Sequence, residues 1–400
     1  MDRVHPELDR IFRDMGIRAW LTSEFDSAET EWSPDEIMAG LNRTYRLILQ
    51  DDAQLTPELI GRIRLLPWVD DVRGTQIAQV PLPQHEVSQT ASLSGSNNGD
   101  LIYLPYGKQI TRGRPDITIA VLDTGVDVGH QELQGKIDKR FNFVDLQGLD
   151  TREFIGRTHG LDTDVEDLVG HGTHVSGIIA AKGLQMDEGI CPDCKLMEVQ
   201  VLATMRSGDR LVGAGVVDNI NNGIKWAVDN GADVINMSLG IRHSGGGLPH
   251  EDVIRYAVQK GVTVVAASGN DGTAERYYPG ALPGVIAVGA ADGAGQVTNF
   301  TSYGANITAL APGVNVYSSF AHNTYAFASG TSQASPFVSG MVGLMKSFAR
   351  ERGKSLSTGE IVNVLRRTSE RPDRRLRSEH AGYGLINLAD AFRLLDYSLN

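Results

Sequence analysis

Cysteine is nearly absent: the 400 residues hold two, Cys191 and Cys194, in a single Cys-Pro-Asp-Cys run. That count excludes a four-cysteine zinc site, although His or Asp side chains could complete a metal site around the pair. The other readings are redox sensing, or two turn cysteines that are reduced or bridged to each other. Long apolar runs are lacking as well. No stretch reaches about 18 apolar residues, so no transmembrane helix is expected. The first residues, MDRVHPELDRIFRDMG, are charged throughout and lack the apolar core of a secretion signal. As written, the chain points to the cytoplasm, with export by another route left open. Positive charge is in deficit, with 37 Lys and Arg against 49 Asp and Glu and a formal net charge of -12. Such a chain suits neither nucleic acid nor anionic membranes, where basic patches supply the attraction. It mildly favours neutral or basic peptide partners. No solenoid-type repeat is present.

What is present is ordinary for a soluble globular protein: 41% apolar and 22% charged residues. The length allows one large domain or two of common size. The 45 glycines imply many tight turns, which fits a loop-rich α/β enzyme better than a helical bundle.

The chain divides into three regions: residues 1–83, 84–100 and 101–400. In the first, Tyr45–Gln50 alternates as a strand does. Thr56-Pro57-Glu58 then reads as a helix start, followed by Leu59, Ile60, Ile63 and Leu66 at helical spacing. Val69–Val80 alternates loosely, which makes a small strand–helix–strand unit. The second region, QHEVSQTASLSGSNNGD, has little to bury and reads as an exposed linker. In the third, short runs rich in Val, Ile and Ala occur at Ile117–Leu122, Leu196–Leu202, Val234–Leu239, Val262–Ala267 and Val285–Ala290. They read as strands of a buried parallel sheet. Amphipathic stretches at Val217–Asn230 and Glu251–Lys260 lie between them, so helices should cover the sheet.

Ligands gather beyond the C-terminal ends of parallel strands. There the sequence places Asp123-Thr124-Gly125, directly after Ile117–Leu122, and Ser268-Gly269-Asn270, after Val262–Ala267. Gly170-His171-Gly172-Thr173-His174 leads into an apolar helix, with glycines that let backbone pack close around an imidazole. Metal binding by His171 and His174 lacks the glutamate of an HExxH helix. Gly330-Thr331-Ser332-Gln333-Ala334-Ser335-Pro336 opens another apolar helix, with Pro336 expected in its first turn. A serine there can be a simple N-cap. The same position offers free N–H groups and the positive end of the helix dipole to an oxyanion.

In the order Asp, His, Asn, Ser, these boxes resemble the subtilases, the subtilisin-like serine proteases, across roughly residues 101–396. Asn236-Met237-Ser238-Leu239-Gly240 and Ala311-Pro312-Gly313 match the family as well. An α/β-hydrolase would run Ser, Asp, His and need a Gly-x-Ser-x-Gly elbow, which Ser332 lacks. The resemblance implies a three-layer α/β fold and a serine endopeptidase. Asp123, His171 and Ser332 would form the triad, with Asn270 as oxyanion donor. Ser238, Leu239 and Gly240 would pair with an extended peptide or protein substrate, and Ala267, Ser268 and Gly269 would wall the pocket for the residue before the cut. Glu275 and Arg276 lie in the short segment Gly272–Tyr278, either shaping preference or merely solvated.

No cofactor is needed for the chemistry, while structural calcium is a family trait. Glu132 matches a calcium-binding position, and Asp162, Asp164, Glu166 and Asp167 crowd the stretch before His171. The loop Lys182–Ile190, however, lacks the family's Asn-rich ligand run. Gln333 stands where the family usually has Met. The first region resembles a subtilase propeptide, which folds with the enzyme and inhibits it. Its tail would lie near Gln76–Gln84, with self-cleavage between about 76 and 100. The alternatives are a permanent accessory domain, a dedicated processing protease, and a catalytically silent binding protein of the same fold.

Overall fold

The apolar runs of the third region become strands of one sheet, and they are buried because they carry apolar side chains on both faces. The structure is a computed structural model; it describes residues 5–51, 53–80, 98–242, 247–371 and 376–399. The first region contains α1 (Pro6–Met15), β1 (Ala19–Ser23), α2 (Pro34–Ala39), β2 (Tyr45–Leu49), α3 (Pro57–Arg64) and β3 (Ile77–Val80). Two short helices follow, α4 (Asn98–Leu101) and α5 (Leu104–Ile110). Next come β4 (Thr118–Asp123), β5 (Ile137–Asn142), β6 (Phe154–Ile155), α6 (His171–Ala180), β7 (Lys195–Gln200), β8 (Ala203–Ser207) and β9 (Arg210–Val216). The chain continues through α7 (Val217–Asp229), β10 (Val234–Met237), β11 (Ile241–Arg242), α8 (Glu251–Gln259), β12 (Thr263–Ala267), β13 (Tyr277–Tyr278) and β14 (Val285–Ala291). It closes with β15 (Ile307–Pro312), β16 (Val316–Phe320), β17 (Thr324–Ala328), α9 (Thr331–Arg350), α10 (Thr358–Thr368) and α11 (Leu388–Leu399).

The main sheet has seven strands in the order β15-β14-β12-β10-β4-β7-β5, every neighbouring pair parallel. In β4, Ile119 and Val121 enter a core shared with α6, α9, α10 and α11, while Ala120 and Leu122 enter one shared with α7 and α8. Helices therefore cover both faces, the three-layer α/β arrangement expected. Strand β4 has β7 on one side and β10 on the other, so the strand order reverses there. A crevice opens at such a switch point, and Asp123 ends β4 at its mouth.

The first region differs from the expected strand–helix–strand unit. β2 pairs antiparallel with β1, from Ala19↔Leu49 to Ser23↔Tyr45. Leu8 and Ile11 of α1 pack with Leu59 and Ile63 of α3 into a small core of their own. β3 belongs to neither. It leaves the unit and pairs antiparallel with β9, with Ile77 opposite Val216 and Val80 opposite Gly213. The unit sits on α7 and α8, where Phe25, Ala39 and Leu41 join their apolar core. Glu36, fully buried, bonds Lys225 at 2.7 Å, and Asp35 bonds Lys260 at 2.6 Å. Most of the expected linker lies outside the described residues, and its last residues, from Asn98 on, are already helical in α4. Cys191 and Cys194 are bridged to each other and buried, which leaves no thiolate for a metal.

Candidate active site

Gly125, at φ +101°, turns the chain sharply after Asp123; a side chain there would meet the Val165 carbonyl at 2.3 Å. Gly172 does the same service for α6, since a Cβ on it would lie 2.1 Å from the Gly125 carbonyl. The two glycines let the start of α6 press against the turn that follows β4. His171, the first residue of α6, is thereby held beside Asp123. Its Nδ1 lies 2.6 Å from Asp123 Oδ1, with both side chains 1% exposed. Asp123 Oδ1 also accepts the Thr124 N–H at 2.8 Å.

Burial alone would disfavour the imidazolium. The charge and hydrogen bond of Asp123, with the charge of Asp167 behind, outweigh it, and the His171 pKa lies above its ordinary value. In the sequence Asp167 belongs to the acidic cluster before His171 that would suit calcium. It is buried instead, and accepts the N–H groups of Val169, Gly170 and Thr173 and the hydroxyls of Thr124 and Thr173. It clamps the N-terminus of α6, where backbone N–H groups would otherwise be unpaired.

Ser332 lies in the first turn of α9, 5% exposed. Its hydroxyl donates to the Ser238 carbonyl at 3.0 Å. His171 Nε2 is buried with no partner among the described residues, so the bond from serine to imidazole is not yet made. Such bonds commonly tighten only when substrate enters. Asn270 follows β12, and its Oδ1 accepts both the N–H and the hydroxyl of Thr331, at 2.8 and 2.9 Å. That fixes the carboxamide with its NH₂ turned away from Thr331. A Cβ on Gly330 would lie 3.3 Å from Asn270 Nδ2, which places this donor beside the turn that carries Ser332.

Pro336 lies deeper in α9 than the first turn, contrary to expectation. Lacking an N–H, it cannot bond the Ser332 carbonyl four residues back. The Ser238 hydroxyl fills the gap, donating to that carbonyl at 2.8 Å. Ser238 is fully buried, so its side chain braces the serine turn rather than facing substrate. Leu239 is buried, and Gly240 half-buried. Ala267 and Ser268 are buried on the opposite side, the Ser268 N–H bonded to the Val288 carbonyl, and Gly269 is half-buried. The structure thus sets His171 against Asp123, Asn270 against the turn that carries Ser332, and Ser332 against the segment that follows β10.

Glu132 is elsewhere. Its carboxylate accepts the N–H groups of Gly183, Leu184 and Gln185 and the Tyr325 hydroxyl. Four donors converge on it, an arrangement that holds an anion and leaves no lone pairs directed at a cation, so the residues there do not fit calcium. Asp162 and Asp164 both bond Arg157. Among the described residues no three acidic, His or Cys side chains gather as metal ligands.

Sequence reasoning missed Glu198, on β7. It is 1% exposed, and burial pushes its carboxyl well above the ordinary range. Its Oε1 accepts the Ser176 hydroxyl at 2.8 Å, and its Oε2 has no partner among the described residues. A lone acid amid the run Leu196–Leu202 was the available signal. The role of β9 was missed too. Its Gly213-Ala214-Gly215 run presents backbone rather than side chains, and a Cβ on Gly213 would meet Thr124 at 2.5 Å. Hence β9, with β3 beside it, borders the turn that follows Asp123.

The sequence model of the subtilase family, Peptidase S8, matches residues 114–384. A thermophilic serine proteinase of Bacillus sp. (strain AK1) is 39% identical over 250 residues, 62% of this chain but only 56% of that protein. The major intracellular serine protease of Bacillus subtilis (strain 168) is 37% identical over 317 residues, covering 77% of this chain and 88% of the relative. Among solved structures, the prenylagaramide maturation protease PagA aligns with a TM-score of 0.60 at 29% identity, over 73% of this chain and 98% of that one. No helix among the described residues is long and apolar enough to cross a membrane.

Proposed function

The chain belongs to the subtilase family of serine endopeptidases, and from that premise we propose that it cuts peptide bonds through Ser332, His171 and Asp123 by way of an acyl-enzyme. The observation that carries this reading is the buried 2.6 Å contact between His171 and Asp123 at the switch point of the sheet, beside a serine at a helix N-terminus. Ser332 Oγ attacks the substrate carbonyl while His171 Nε2 takes its proton. Asp123 keeps Nδ1 protonated and stabilises the imidazolium. The oxyanion is held by the Asn270 NH₂ and the Ser332 N–H, which point at charge that exists only in the transition state. His171 then protonates the leaving amine, and a water deprotonated by the same imidazole releases the acyl group.

The N-terminal unit acts as an inhibitor of its own chain in this proposal. β3 already pairs with β9 as an extended substrate would, and it runs toward Gly213, next to the turn after Asp123. Strand addition of this kind gives affinity through the backbone. A dedicated processing role is the second reading, supported by the likeness to a maturation protease. The test is fluorophosphonate labelling. Wild-type protein, once activated, is expected to label and to cleave peptides, and Ser332→Ala to do neither and to stay full length. Absence of labelling in processed wild type would refute the mechanism.

A further inference from the structure

The slot between the two substrate walls is occupied by an aromatic ring. β13 pairs antiparallel with β11, Arg242 opposite Tyr277, and so ties together the segments that leave β10 and β12. The Tyr277 ring lies across this tie. A Cβ built on Gly269 would meet its Cδ2, Cε2 and Cγ at 2.4, 2.6 and 2.9 Å. A Cβ on Gly240 would meet its Cδ1 at 3.3 Å and its Cβ at 3.4 Å. One ring edge therefore faces each wall, and only glycine fits against the ring at 269. The tip of the ring is held as well. Arg242 Nε donates to the Tyr277 hydroxyl at 2.7 Å, that hydroxyl donates to Asp271, and Arg242 bonds Asp271 and also Glu275, the latter at 3.0 Å. The guanidinium stands 5.7 Å from the ring centre. Glu275 is thus engaged with Arg242, and Arg276 is exposed, so neither charge lines the slot freely.

Once a carbonyl is placed between Ser332 Oγ and the Asn270 NH₂, the side chain of the residue before the cut has one direction open. It runs between Ser238–Gly240 and Ala267–Gly269, where Tyr277 stands. We infer that Tyr277 is the specificity-determining residue of this site, and that the enzyme cuts after small residues, Gly, Ala and Ser, and rejects Phe, Tyr and Leu. The inference rests on the endopeptidase reading above. A ring that fills the pocket leaves room for a methyl or hydroxymethyl group and would collide with a larger side chain.

The experiment uses the full chain after self-activation, with active sites counted by fluorophosphonate labelling, on fluorogenic peptides that differ only in the residue before the cut. Wild type is expected to favour Ala over Phe by at least about 10-fold in kcat/KM, the scale on which apolar pockets discriminate. Tyr277→Gly should raise the ratio of the Phe value to the Ala value by about 10-fold or more. Tyr277→Phe keeps the ring and should keep the preference for small residues. A wild type that takes Phe or Leu as readily as Ala overturns the inference. So does a Tyr277→Gly form that labels fully without widening its choice. A wild type that never labels defeats the underlying protease reading and this inference with it.

Discussion

His171 and Glu198 are both buried titratable groups, and their surroundings push both pKa values upward for different reasons. For His171 the neighbouring carboxylate of Asp123 overcomes the desolvation that would lower it. In the proposed mechanism His171 must be neutral to accept the Ser332 proton, so the raised value moves the acidic limb of activity upward. The kcat/KM profile of activated enzyme is expected to rise with pH through a midpoint above the ordinary imidazole value near 6.5; a midpoint below it would contradict the geometry. Glu198 is raised by desolvation, with the charges of Asp123 and Asp167 adding to it and the Ser176 hydroxyl opposing. A carboxyl raised by folding lends stability that is fully present below its unfolded value, ordinarily 4.5, and is lost as pH rises toward the folded value. Glu198→Gln mimics the protonated acid at every pH. In an inactive Ser332→Ala background, to prevent autolysis, its melting temperature should match the parent near pH 4, below the unfolded value, and exceed it near pH 9. Equal melting at both values would mean that Glu198 is not held neutral.

Single elements show where the sequence was readable. β4, β7, β10, β12 and β14 were legible because each lies in a short stretch rich in apolar residues and is buried on both faces. β5 was not. Its residues Ile137–Asn142 include Asp138, Lys139 and Arg140, all exposed on an edge strand, and such a run carries no apolar period. β1 escaped notice for a similar reason, with Trp20, Thr22 and Ser23 exposed and Ala19 and Leu21 only half-buried. The pairing of Asp123 with His171 was legible because glycines mark the close approaches around them. The bracing of α9 was not, since it depends on a hydroxyl just past the end of β10 meeting a carbonyl orphaned by a proline far away in sequence. That brace can be measured. Ser238→Ala leaves the Ser332 carbonyl buried without a donor, which should cost about 1–3 kcal/mol of stability. Pro336→Ala returns an N–H to the helix four residues on. Combined with Ser238→Ala, it should recover part of the loss in denaturant unfolding. If the double variant is no more stable than Ser238→Ala alone, the hydroxyl is not replacing the helix bond.

The whole molecule joins two bodies through an interface that carries buried charge. Arg46 of the N-terminal unit bonds Asp145 and Asp218 at 3.0 and 3.4 Å, and Lys225 reaches Glu36. Glu24 is the exception, an acid with no cation bonded to it among the described residues. Its Oε1 accepts Asn221 Nδ2 at 2.7 Å, and Asn221 Oδ1 in turn lies 2.7 Å from Nδ1 of His250, which burial and the charge of Arg73 push down to about 3 and so keep neutral. Desolvation, with the charges of Asp218 and Asp252, raises Glu24 to about 7 against the opposing effects of Asn221 and Arg73. An undocked Glu24 would ionise near the ordinary 4.5, so the docked form binds the extra proton. Docking is therefore unpenalised below the free value and weakens as pH rises through about 7. If the N-terminal unit is the proposed inhibitor, full-length enzyme should be released faster at pH 8–9 than the His171 ionisation alone explains. Glu24→Gln, neutral throughout, should hold the unit in place and slow activation in that range, while the pH profile of enzyme already activated stays unchanged. The two effects separate in progress curves started from full-length protein, because release appears as a lag and His171 only as the final slope. A lag that shortens with pH equally in wild type and Glu24→Gln would remove Glu24 from the control of release.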